Sequence, residues 1–280
     1  MNMVKTVLLL GVLSGVLLFG GEAIAGRQGL YIGLLLAMAM NFFSYFFSDK
    51  IALATYSAQP VTPEQNPSVY SRVAPIVGGL ARRMNIPMPR LWLIPEQSPN
   101  AFATGRNPQH ASVAFTAGIL NTMTDAEIEG VVAHELGHVL HRDILISSIA
   151  ATLATAITFL SRMMFFFGGE RDDDREGGAM GGLLMMILAP VAALLIQMAI
   201  SRTREFDADA ASAKYTGNPR ELISALRKLE TYSQRIPMDA TPSTAHMFII
   251  KPFSGASLMR LFSTHPSTEE RIERLEAMMG

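Results

Sequence analysis

Cysteine is absent from the 280 residues of this chain. That excludes a disulfide framework, a thiol nucleophile and thiolate metal ligands, and leaves His, Asp and Glu to hold any metal. It also fits a reducing compartment. A dominant charge is missing too: the formal net charge is -1 and no block of Lys and Arg occurs, which argues against a nucleic-acid partner. Charged residues make up only 17% against 49% hydrophobic, a balance tilted toward membrane proteins. Internal repeats are lacking, and the one biased tract is the acidic stretch Gly168–Gly178.

The apolar residues are bunched into four runs. Val7–Gly20 continues through weaker residues to Ala25, Leu30–Phe47 follows, and Ile144–Leu160 and Ala179–Ile200 carry no charge. A bilayer core requires about 17 to 25 such residues. Neither of the last two runs has a polar face, which argues against core helices of a soluble protein. The expected architecture is therefore a mainly α membrane protein with about four transmembrane helices in two hairpins. Lys5, the apolar stretch and Ala23-Ile24-Ala25 also imitate a secretory signal. The second run, only a few residues on, favours a hairpin. Lys5, Lys50, Arg202 and Arg204 flank the runs. With an even number of spans on each side, they put both termini and Ser48–Asp143 in the cytoplasm. The domains expected are 1–47 (first hairpin), 48–143 (first catalytic part), 144–200 (second hairpin) and 201–280 (second catalytic part).

The polar segments have globular composition. Val69, Val73, Ile76, Val77 and Leu80 give residues 68–84 helical spacing. Arg90–Ile94 and Ala111–Thr116 read as short strands, and the turn signal Arg106-Asn107-Pro108-Gln109 suggests that they form a β-hairpin. Thr124-Asp125-Ala126-Glu127 is a capping box opening a helix toward Arg142. Further helices open at Asn218-Pro219 and at Ser267-Thr268.

The helix begun at Thr124 carries His134-Glu135-Leu136-Gly137-His138. Residues four apart on a helix lie about 5–6 Å apart on one face, so two imidazoles can grip one ion. Glu135 is placed to reach a metal-bound water without being a ligand. The apolar lead-in Val131-Val132-Ala133 buries the stretch, where unpaired histidines would be costly. Catalytic zinc takes three protein ligands and keeps one position open. His141 is too far along a straight helix, about 10 Å from His134, to share the ion. His110, His246 and His265 lack a paired carboxylate. Ser201-Arg202-Thr203-Arg204-Glu205-Phe206-Asp207-Ala208-Asp209 is the better source. Glu205 can complete a two-His, one-Glu site, and Asp209, four residues on, can accept the free N–H of His134 or His138. A solvated acidic helix face is the alternative for both carboxylates.

The HELGH motif, the SRTREFDAD stretch and the four apolar runs resemble the HtpX family of bacterial membrane metalloproteases. Pro99-Asn100-Ala101-Phe102-Ala103-Thr104-Gly105 and Ser263-Thr264-His265-Pro266-Ser267-Thr268 with Arg271 extend the likeness over essentially the whole chain. Phe206 and Ser267 depart from the residues that relatives often carry, at positions that are not proposed ligands. The resemblance implies a zincin-like α+β catalytic domain with one zinc ion and an inner-membrane address. It also implies proteolysis of membrane or misfolded proteins, with unfolded polypeptides and the lipid bilayer as partners. In that setting Glu135 is the general base. The family pattern makes His265 a candidate oxyanion donor, with a capping role near the last helix as the alternative. Asn100–Gly105 could form an edge strand for an extended substrate, with Asn100 bonding its backbone; a plain turn residue is the alternative there. A catalytically silent scaffold, a prenyl-tail processing enzyme and a structural zinc protein are the rival functions. Retention of Glu135, the small number of spans and the open coordination position weigh against them in turn.

Overall fold

A computed structural model describes residues 2–146, 149–150, 152–153, 156–157, 203–235, 249 and 266–279. The chain divides into two compact units, Met1–Phe47 with Ile146–Ile200, and Ser48–Leu145 with Ser201–Gly280.

The chain opens with α1 (Asn2–Thr55), which is two helices joined across a break at Ala25 and Gly26; its residues up to Phe47 belong to the first unit and those from Ser48 to the second. Gly26 has φ of 60° and ψ of -142°, a backbone state that only glycine adopts readily. On either side of the break the backbones approach closely. A Cβ at Gly29 would run into the carbonyl of Gly21, and one at Gly33 into the carbonyl of Leu17. Small residues permit such contact between apolar helices. Asn41 Nδ2 donates to Ser14 Oγ at 2.9 Å, and Ser14 Oγ donates to the Leu10 carbonyl. Leu13, Leu17, Ala37, Leu153 and Ala156 form the unit's apolar cluster. Among the described residues, one helix is long and apolar enough to cross a membrane, Ala25–Phe47. The apolar helix Thr6–Glu22 is shorter. The third expected run is described only in part. The fourth lies outside the described residues, as does the acidic stretch.

The second unit is built on a four-stranded sheet: β1 (Gln59–Pro60), β2 (Arg90–Ile94), β3 (Ala101–Thr104) and β4 (Ser112–Thr116), in the order β1-β2-β4-β3. The expected hairpin between Arg90–Ile94 and Ala111–Thr116 is corrected here. Those two strands are neighbours but run parallel, which a tight turn cannot connect. The turn at 106–109 instead joins β3 to β4, which pair antiparallel. Among the described residues β3 pairs with β4 alone and is an edge strand, as expected for Asn100–Gly105.

Alternation along the strands sends side chains to two faces. Trp92, Ile94, Phe102 and Ala114 pack on Ala52, Leu53 and Tyr56 at the end of α1. Leu91, Ala101, Ala103, Val113 and Phe115 face the main core. That core is closed by α2 (Pro67–Arg83), α3 (Ala117–Thr122), α4 (Asp125–His141), α5 (residues 203–216), α6 (Pro219–Arg235) and α7 (Thr268–Ala277).

The start of α4 is fixed locally. Thr124 caps it, and Glu127 completes the capping box. Glu127 also accepts hydrogen bonds from Ser224 Oγ at 2.6 Å and Lys228 Nζ at 2.7 Å, tying α4 to α6. Arg72 on α2 donates to the carbonyls of Leu120 and Met123 and pairs with Asp125. These ties hold still the helix that bears the site.

Candidate metal centre

His134 and His138 occupy successive turns of one face of α4, with their rings edge to face and their centroids 4.9 Å apart. The face is buried: His134 is 1% exposed and Glu135 6%. α5 lies against it because position 137 is glycine. A Cβ there would meet Ala208 Cα and Ala211 Cβ, each at 3.1 Å. This approach brings Glu205 over the two imidazoles. Its Oε2 lies 3.6 Å from His134 Nε2, and its Oε1 lies 3.6 Å from His138 Nε2. The three side chains each offer a ligand atom within 4.8 Å of the others. Zinc bonds of about 2.0–2.1 Å at tetrahedral angles place ligand atoms about 3.4 Å apart. Two imidazole nitrogens and one carboxylate at this spacing therefore fit zinc.

Since helix–helix distance sets that spacing, Gly137→Ala is expected to push α5 outward by a few tenths of an ångström. Zinc affinity should fall by about tenfold, measured by chelator competition, while α4 keeps its helicity.

Each imidazole is backed by a carboxylate. His134 Nδ1 lies 2.9 Å from Asp209 Oδ1, the pairing that the sequence left open between the two histidines. His138 Nδ1 lies 3.6 Å from Asp143 Oδ2. Buried arginines hold both carboxylate residues. Arg204 Nη1 donates to the Asp143 carbonyl at 2.9 Å. Arg271 on α7 donates to Asp209 Oδ2 from Nε at 2.8 Å and to Oδ1 from Nη2 at 2.7 Å. Arg274, one turn on, lies 3.5 Å over the ring of Phe206.

Glu135 points to the edge strand, where Oε2 accepts the Ala103 backbone N–H at 2.9 Å. The pairing of Thr116 N–H with the Asn100 carbonyl directs the backbone groups of residues 100, 102 and 104 toward β4. The alternate groups at Ala101 and Ala103 point out from the edge.

Burial governs the electrostatics. It pushes the Glu135 carboxyl up to about 7, against the pull of His138 and the Ala103 N–H. It also lowers His134, helped by the Arg271 charge, which keeps the ring in the neutral form that metals bind. For His138, burial opposes protonation, but Asp143, Glu205 and Glu135 outweigh it and the net direction is up. Asp209 is lowered: burial works against its charge, and Arg271 overrides it. Protons and a metal thus compete for His138.

The sign for Glu135 follows from its folded pKa of about 7 against an ordinary value of 4.5. A raised carboxyl adds nothing at high pH; its neutral form stabilises the fold at low pH, and that contribution is lost as pH rises through about 7. The metal-free protein should lose on the order of 3 kcal/mol between pH 4.5 and 7.5 through this group. Its melting temperature in detergent should fall over that range, and Glu135→Gln should flatten the decline.

Of the remaining expected residues, Asn100 is buried, 3% exposed, and its Oδ1 accepts from the Ile249 N–H at 3.3 Å. Its Nδ2 has no partner among the described residues. His265 and His246 lie outside the described residues. His110 is exposed beside Arg106 and Asn107, and His141 is exposed at the end of α4. Sequence reasoning missed Asp143, Arg204, the Ala103 N–H and the contacts of Arg271. Asp143 returns to the site because Arg142 ends α4 in the left-handed conformation, with φ of 59°. No periodic signal marks that turn.

A His-Glu-x-x-His helix with a carboxylate from an adjacent helix placed against both imidazoles is the arrangement of a metalloprotease. The sequence model of peptidase family M48 matches residues 67–279. A protease HtpX homolog from Desulfatibacillum aliphaticivorans is 54% identical, covering 98% of this chain and 89% of that protein. Another from Thermodesulfovibrio yellowstonii is 52% identical over 99% of each. The chain belongs to peptidase family M48 and, within it, to the HtpX proteases. Its fold is similar to the crystal structure of S. mikatae Ste24p, with a TM-score of 0.56 and 21% identity. That similarity covers 98% of this chain and 65% of the Ste24p chain, so this chain matches under two thirds of it.

Proposed function

We propose that this metalloprotease is a zinc-dependent membrane endopeptidase, with zinc held by His134, His138 and Glu205 and with Glu135 as general base. The observation that carries the reading is the convergence of two imidazole nitrogens and one carboxylate, His134 and Glu205 buried and His138 half-buried, with a further buried glutamate, Glu135, beside them. When bound, zinc supplies Lewis acidity toward the scissile carbonyl and acidifies its water toward a pKa of about 7.

The protein's own groups do the rest. Glu135, the one carboxylate of the HELGH motif, takes a proton from the attacking water and passes it to the leaving amine. The Ala103 N–H steers its carboxylate. An extended substrate adds to β3 as a further strand, using the outward backbone groups of Ala101 and the outward carbonyl of Ala103, whose N–H is held by Glu135. Asn100 Nδ2 offers that strand another donor. Asp209 orients His134, and Asp143 orients His138. His265 is the proposed donor to the oxyanion.

The proposed setting is the bacterial inner membrane. Four transmembrane helices form two hairpins, and a zincin-like α+β catalytic domain faces the cytoplasm. The apolar helix Ala25–Phe47 and the four apolar runs of the sequence support it. Substrates are then membrane or unfolded polypeptides, and no nucleic acid is involved. The expected result is cleavage of an unfolded protein such as casein by the full chain in detergent. A chelator abolishes it and added zinc restores it. Cleavage that survives removal of all metal would sink the reading.

A further inference from the structure

We propose that Arg271 is a positioning residue for the metal centre, acting through Asp209 to fix the tautomer and orientation of His134. The inference rests on the assignment of His134 as a metal ligand.

Arg271 is 1% exposed, and its partners among the described residues are all internal. Nε and Nη2 grip the two oxygens of Asp209 as a fork at 2.8 and 2.7 Å. Nη1 donates to the Ile249 carbonyl at 2.7 Å and lies 3.7 Å from Glu205 Oε2. Nη2 also rests against the His134 ring, 3.3 Å from Nδ1 and 3.5 Å from Nε2.

The fork decides the chemistry at Asp209. Both carboxylate oxygens receive guanidinium protons, so Oδ1 meets His134 Nδ1 at 2.9 Å as an acceptor. A bare Nδ1 there would set two lone pairs against each other. Nδ1 therefore carries the proton, and Nε2, the nitrogen 3.6 Å from Glu205, keeps the lone pair that a metal needs. Arg271 also fixes where Asp209 stands, because a planar guanidinium matches a carboxylate in one geometry. Through this chain of contacts α7 sets a ligand on α4. Lysine, with a single ammonium, cannot reproduce the fork.

The test uses the full chain in detergent with Arg271→Met, Arg271→Lys, Asp209→Asn and the Asp209→Asn/Arg271→Met double variant. Zinc affinity is read by chelator competition, folding by thermal melting, and the tautomer of His134 by 15N NMR of the zinc-free protein, assigned with His134→Gln. Arg271→Met should weaken zinc by about 10–100-fold, the usual scale for groups that orient a ligand. Arg271→Lys should recover part of the loss. The double variant should be no weaker than Asp209→Asn by more than about twofold, because both changes break one relay. At saturating zinc the single variants should regain most of their kcat. In the parent, His134 should carry its proton on Nδ1.

Wild-type zinc affinity in Arg271→Met, independent losses in the double variant, or an Nε2–H tautomer in the parent would overturn the proposal. The tautomer measurement needs no variant at Arg271 and decides the matter should Arg271→Met fail to fold. A parent that binds no zinc removes the metal assignment itself, whereas a zinc-binding parent with an indifferent Arg271 removes this inference alone.

Discussion

Glu135→Gln leaves zinc bound and lowers peptide hydrolysis by about 10²–10⁴-fold, the usual worth of a positioned general base. The substitution keeps the shape of the side chain, and a carboxamide oxygen can still accept the Ala103 N–H that now meets Oε2 at 2.9 Å. Lost is only the capacity to take a proton. Glu135 is not among the three side chains proposed to hold the metal, so zinc content should remain near one per chain by elemental analysis. In the free protein burial pushes the Glu135 carboxyl up to about 7, where a group can both accept and return a proton near neutral pH. A bound dication beside it favours the ionised form. The acid limb of the parent's pH–rate profile should therefore fall at or below about pH 7. Full activity in Glu135→Gln would remove that residue from the mechanism.

Glu205→Ala does the opposite: it removes the metal. Glu205 faces both imidazole nitrogens at 3.6 Å and is the sole carboxylate of the proposed ligand set. Without it the ion is left with two protein ligands, short of the three that catalytic zinc sites use. Zinc affinity should drop by more than about 100-fold, beyond the effect of losing an orienting partner, and hydrolysis at low zinc should disappear with it. The pair of variants separates holding the metal from moving the proton. Glu135→Gln is inactive with zinc present, and Glu205→Ala is inactive because zinc is gone.

The sequence shows most plainly what is encoded within a few residues. The capping box at Thr124 and Glu127, the proline start of α6 and the Ser267 cap of α7 were all readable, because each is satisfied inside one helical turn. His134 and His138 share a face for the same local reason. Strand pairing was harder to read. Apolar and β-branched residues mark Arg90–Ile94 and Ala111–Thr116 as strands but cannot say that they run parallel. The proximity of Glu205 depends on a glycine–alanine contact between α4 and α5, and only its chemical type could be read. Arg271 lies 137 residues from His134; nothing local in α7 says that its second turn reaches a buried carboxylate. Asp143 is hidden by a left-handed residue that no periodicity anticipates.

X-ray absorption at the zinc edge on purified Glu135→Gln, compared with the same protein carrying Glu205→Ala, tests the central claim most directly. The account predicts one zinc per chain in the first, with nitrogen and oxygen neighbours at about 2.0–2.2 Å, two of them showing the outer-shell signature of imidazole. In the second the zinc is lost. An unchanged zinc signal in Glu205→Ala, or a first shell without two imidazoles, would contradict the assignment of His134, His138 and Glu205 as the metal-holding residues.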